Sequence, residues 1–160
     1  MSATVMGLST LGVTFGYGVE DSASAGTKPA TFKQLDRILS IGGIAMDTEQ
    51  LDCSTLEDYT TKYIAGRSDL GGSWEVEWNF TEETAKEWED LIAAYNTASA
   101  SNLNMWFEVI VPNQSKGFFV VAQPPQALPM PEFTGNEVLT VTTTLVIVDY
   151  KGFDTKVDFT

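Results

Sequence analysis

Glu75 and Glu77 are the residues most open to a catalytic reading. Two carboxylates spaced by one residue on a strand share a face, and paired carboxylates are the machinery of glycoside hydrolysis. That chemistry also needs surroundings that push the two pKa values apart. The run Ser73–Phe80 supplies no neighbour that would raise one relative to the other. Asp47, Glu49 and Asp52 offer oxygen ligands to calcium, but the central Gly and final bidentate Glu of an EF-hand loop are missing, so they read as solvated carboxylates. Gly12, Gly16 and Gly18 lack the G-x-G-x-x-G spacing of a phosphate-binding turn, and no P-loop Lys follows.

The rest of the composition closes further routes to chemistry. The 160 residues contain no histidine, which removes the commonest general base and transition-metal ligand. Cys53 is the sole cysteine, so neither an internal disulfide nor a cysteine zinc cluster is possible, and it reads as a buried, inert thiol. The expectation is a protein that is not an enzyme and carries no metal and no cofactor. Nine basic residues face twenty-two acidic ones, for a net charge of −13. The basic residues form no run, which argues against gripping a phosphate backbone or an anionic membrane. The first basic residue is Lys28 and no apolar run reaches the ~18 residues of a membrane span, so a soluble protein without a signal peptide or membrane anchor is expected, made in a reducing cytoplasm.

The elements that must position these residues are mostly strands. A length of 160 residues with 43% hydrophobic content suits one domain, 1–160, with a real core. Residues 10–19 alternate, with Leu11, Val13, Phe15, Tyr17 and Val19 on one face and three glycines on the other. Glycine repeated in a strand marks close approach of another backbone or ring. Further strands are expected within 32–41, 44–53, 73–80, 103–111, 118–123 and 138–148, with 150–160 a mixed tail. Trp106 and Ile110 on the less apolar face of 103–111 predict that both sides of that hairpin are covered. Thr81–Tyr95 carries Ala85, Trp88, Leu91, Ile92 and Tyr95 at helical spacing; Thr81 or Thr84 can cap it, and Thr84–Glu87 spells a capping box. Four of the six prolines fall in 123–135 and predict a stiff loop outside the sheet. The fold expected is mainly β: a β-sandwich or small barrel of about seven strands with one flanking helix over 81–95.

One stretch does not fit inside such a domain. Residues 53–72 form a polar, hydroxyl-rich arm with too few core-seeking residues to pack alone. Yet Thr55, Leu56, Tyr59, Tyr63, Ile64, Arg67 and Leu70 give it too much sticky surface for a free linker. It needs something to lie against, and a second copy of the same chain is the expected surface.

The order of parts resembles a known family. Ile41-Gly42-Gly43-Ile44 precedes Asp52-Cys53-Ser54-Thr55-Leu56, then Lys62-Tyr63-Ile64-Ala65-Gly66, an alternating strand, a helix, an aromatic hairpin and a Thr/Val-rich strand. Over nearly the whole chain this is similar to the major tail tube protein of long, non-contractile bacteriophage tails, in a superfamily with the type VI secretion tube. The resemblance implies a virion protein, assembled in the host cytoplasm, whose hexameric rings stack into a hollow tube for genome delivery. Its partners would be other copies of itself and the tail proteins at the tube ends. Its arm, 53–72, would contact neighbouring subunits. DNA would pass without specific binding, and an acidic lining suits that, because like charge repels phosphates. Glu75, Glu77 and Glu108 are the candidates for that lining, since they alternate with apolar strand positions. The rival expectations are a β-sandwich binding module for a carbohydrate or protein ligand, with Trp106 as its aromatic platform, and another virion or secretion-tube component.

Overall fold

The computed structural model describes residues 11–160. The described chain is a β-sandwich with one helix. In order it forms β1 (Thr14–Val19), β2 (Lys33–Leu35), β3 (Ile38–Ile41), β4 (Asp47–Asp52), β5 (Tyr63–Asp69), β6 (Ser73–Asn79), α1 (Glu82–Ala100), β7 (Met105–Ile110), β8 (Lys116–Gln123) and β9 (Thr140–Thr155). Seven strands make one antiparallel sheet in the order β2-β1-β7-β8-β9-β6-β3, while β4 and β5 pair only with each other.

β9 bends that single sheet into two layers. Its first part, Thr140–Val146, pairs with β6, and the rest, Val146–Thr155, pairs with β8. Two register shifts against β8 and a left-handed Gly152 (φ 87°) let it turn the corner. The layers then meet face to face although β1 and β6 lie far apart in the strand order. Phe15 of β1 meets Trp74 of β6 edge-on at 5.5 Å, and Trp74 meets Phe107 of β7 at 6.0 Å. The sheet's two end strands, β2 and β3, are joined by Asp36 and Arg37 alone, with Arg37 left-handed at φ 58°. They do not hydrogen-bond to each other, so the sandwich stays open along that seam.

Helix α1 closes one end. Of the two threonines able to cap it, Thr81 is the N-cap: the Thr81 hydroxyl accepts from Thr84 N–H at 3.2 Å, and Thr81 N–H donates back to Thr84 Oγ1 at 2.8 Å. The hydroxyl pair at these positions outcompetes the expected Thr84–Glu87 box because Thr81 is the residue with extended backbone. The helix also runs five residues past Tyr95. Ala98 packs inward, and Asn102 (φ 57°) ends it, with Leu103 N–H reaching Ala98 O at 2.9 Å and Asn102 N–H reaching Ser99 O at 3.1 Å. Trp88 of the helix stacks on Trp78 of β6 at 5.3 Å and 11°, and both are fully buried.

Other expectations shift at their edges. β1 begins at Thr14; Thr10 lies outside the described residues, and Leu11 is exposed rather than inward. The 32–41 segment splits into β2 and β3. The tail beyond Val148 is no separate strand but the continuation of β9 to Thr155.

Candidate assembly surfaces

The arm is a β-hairpin, and it starts earlier than its composition suggested. β4, inside the segment 44–53, supplies one strand and β5 the other, with Asp47 opposite Asp69, Leu51 opposite Ile64 and Asp52 opposite Tyr63. A register shift sets Glu49 against both Gly66 and Arg67, the usual signature of a bulge. The turn is built from the hydroxyl-acid run. Thr55 N–H and Oγ1 both donate to Asp58 Oδ2 (2.8 and 3.2 Å), Lys62 reaches Asp58 Oδ1 at 2.9 Å, and Lys62 N–H donates to Ser54 Oγ at 2.7 Å. The Thr55 N–H, and after it Lys62, hold the Asp58 carboxyl below the usual carboxylate range; Ser54 N–H does the same for Asp52. Thr55 and Asp58 therefore shape the tip, and Thr55 stays exposed on it.

Among the described residues, the apolar groups along this hairpin stand largely open to solvent. Leu56 and Tyr59 at the tip are 107% and 105% exposed, Tyr63 and Ile64 are 58% and 54%, and Leu51 is 42%. Arg67 is exposed and Leu70, at the base, is half-buried. Leu51 and Met46 belong to this exposed set although sequence reasoning missed them. The pairing of Leu51 with Ile64 is the signal that exposes the omission, and it is visible only once the register is known. Cys53 lies on the hairpin too, and is exposed, correcting the reading as a buried thiol. It is exposed because it follows β4 into the hairpin's turn, which belongs to neither core cluster.

A second surface lies on the outer face of β3, β6 and β9. Glu75 stands beside Thr144 and Glu77 beside Thr142, with Ser40 Oγ 3.5 Å from Glu77 Oε2. The opposite face of the same strands carries Trp74, Val76, Trp78, Val141 and Leu145 into the core, and the buried Thr143 accepts from Trp78 Nε1 at 2.9 Å. The alternation that buries the tryptophans thus gathers two carboxylates and a row of hydroxyls on one open face.

Glu108 does not join them. It lies on β7 beneath the C-terminal residues, fully buried, with Val157 N–H donating to its Oε2 at 2.8 Å. It cannot line an open channel while that tail is in place. The same layer removes the aromatic platform: Trp106 is buried with Phe32, Phe119 and Val121, and Val157 and Phe159 pack against them. Both sides of the β7–β8 hairpin are covered, as Trp106 and Ile110 predicted; the cover is the chain's own end. Its Phe159 ring occupies the space that a Cβ on Gly16 would need, and at Gly18 the Thr31 carbonyl oxygen does so with the Phe32 ring close by, so these glycines mark the close approach expected of them.

Among the described residues no helix is long and apolar enough to cross a membrane. Compared with protein-family models and with curated proteins, the chain matches none.

Proposed function

We propose that this chain is a structural, non-enzymatic virion subunit whose copies close into hexameric rings and stack into a tail tube that conducts DNA. The observation that carries the reading is the β4–β5 hairpin. Its two strands pair with each other, and its apolar tip residues stand fully exposed among the described residues. Exposed large apolar groups on a rigid projection are a contact surface awaiting its partner. Among the described residues β2 and β3 are the end strands of the sheet, and closed rings are one way to satisfy such edges. The face carrying Glu75, Glu77, Thr142 and Thr144 suits the wall of the channel, because it offers carboxylates and neutral hydroxyls and no cation to hold phosphates.

Negative-stain electron microscopy of the purified protein at high concentration tests this. Hollow filaments of uniform diameter are the expected result. A monodisperse monomer at every concentration refutes it, and short caps or isolated rings would favour a component of the tube's end instead. Assembled tubes should retain little duplex DNA at physiological salt; tight, salt-sensitive retention would count against the acidic wall.

A further inference from the structure

The β1–β7–β8 layer buries apolar residues on both of its faces. Phe15, Phe107 and Val120 point into the main core. Phe32, Trp106, Phe119 and Val121 form a separate cluster on the outer face, with Val157 and Phe159 packed against it. The segment Lys156–Thr160 that brings these two residues follows β9 and joins the sheet only by the isolated bridge of Phe159 to Phe32. Val157 and Phe159 are half-buried and alternate with exposed Asp158 and Thr160, so one side of the segment faces down. Its backbone is held at three points: Lys156 N–H donates to Ser115 O at 3.2 Å, Val157 N–H to Glu108 Oε2 at 2.8 Å, and Thr160 N–H to Phe32 O at 3.0 Å. Two of the acceptors are backbone carbonyls. Only the middle one belongs to a side chain that can change its charge.

We propose that Lys156–Thr160 is a strap that opens off the Trp106–Phe119 cluster without unfolding the main core, and that a charge on Glu108 is what releases it. Glu108 is fully buried, and its neighbours across β1 and β8 are Gly16 and Phe119, which carry no charge. The strap itself brings Lys156 and Asp158, which act on Glu108 in opposite directions. Lys28, from the loop before β2, also favours its charge but is drawn aside: its Nζ meets Asp154 Oδ2 at 3.4 Å, Thr155 O at 2.8 Å and the Phe119 ring at 4.7 Å. Among the described residues an ionised Glu108 therefore has one hydrogen bond, from Val157, in a site closed to water. A carboxylate so placed gains by meeting solvent, whereas the neutral acid loses little by staying buried. Closing thus favours the protonated form, and opening becomes more frequent as pH rises through the closed-state pKa. The open form presents the Trp106 and Phe119 rings; the closed form hides them. The two apolar clusters are separate, so the strap can lift as a local event.

Two single-cysteine variants read the opening. Cys53→Ser removes the exposed thiol. In that background Val121→Cys places a thiol beneath the strap and Val141→Cys places one in the main core, at residues 3% and 2% exposed. Labelling by a soluble disulfide reagent is measured relative to the same thiol in denatured protein at each pH, which removes the thiol's own pH dependence. Between pH 5 and pH 8 the relative rate at Val121→Cys should rise about tenfold for each pKa unit that separates the closed from the open form. Adding Glu108→Gln should make that profile flat, and Val141→Cys should stay protected throughout. Hydrogen exchange read by mass spectrometry on the otherwise wild-type chain gives the same answer without a buried cysteine. The amides of 156–160 should exchange faster than in Glu108→Gln by a ratio that grows with pH, while those of β6 show no such growth. A flat profile at Val121→Cys, the same rise in the Glu108→Gln variant, or equal labelling at Val141→Cys overturns the strap, and so does an exchange ratio at 156–160 that does not change with pH.

Discussion

Glu108 Oε2 accepts a 2.8 Å hydrogen bond from the backbone N–H of Val157, tying the middle of β7 to the last residues of the chain. Its other oxygen, Oε1, has no partner and no access to solvent. Burial pushes the Glu108 carboxyl up, against the Val157 N–H and the nearby Lys28 and Lys156; Asp158 adds to the rise. A carboxyl raised on folding contributes stability that is complete below its unfolded pKa, about 4.3, and is lost as pH climbs through the folded value. Glu108→Gln should therefore match wild type in acid and exceed it at pH 7, by about 1 kcal/mol or roughly 2–4 °C in Tm. Melting curves from pH 4 to pH 8 check this, and a wild-type advantage that grows with pH would refute it.

Gly16 lies directly beneath the tail. A Cβ there would overlap the Phe159 ring and also the Lys33 carbonyl oxygen. The ring can swing away; the carbonyl belongs to the paired strand β2 and cannot. Gly16→Ala should destabilise by about 1–3 kcal/mol. Adding Phe159→Ala should recover only part of that loss relative to Phe159→Ala alone. Full recovery in the double-mutant cycle would show that β2 yields.

Trp88 joins the helix to the sheet. It is fully buried and stacked on Trp78. Trp88→Ala should cost about 3–5 kcal/mol by chemical denaturation. Thr81→Ala, which removes only the cap, should cost about 1 kcal/mol. The order of the two is the test, because it separates packing from capping as the anchor of α1.

The hairpin contributes no core. Replacing Asp47–Asp69 by a short Gly-Ser linker should leave circular dichroism and the melting transition near wild type while abolishing tubes. Removing only Thr55–Asp69 is the poorer experiment, since it strands β4 without its partner. Normal tubes from the linker variant would end the hairpin's role in assembly.

Much of this molecule was legible in local pattern. Strands such as Ser73–Asn79 bury every second residue, and the helix carries its own apolar stripe, so periodicity alone locates them. The glycines of β1 announced a close neighbour through the absence of side chains. Composition marked the arm as surplus to the core, because a core needs apolar bulk that Thr55–Asp69 does not hold. Tertiary structure alone decided which neighbour covers what. Glu75, Glu77 and Glu108 are alike in sequence, each a carboxylate among apolar strand residues, yet two face outward and one is sealed under Val157 and Phe159. Trp106 announced that its face is covered, but its sequence did not say that Phe32, Val157 and Phe159 are the cover. The arm's second strand and the bend in β9 were equally invisible. Strand pairing and corner-turning depend on contacts between residues far apart in the chain, and side-chain alternation carries information about one strand's two faces but none about what will lie against them.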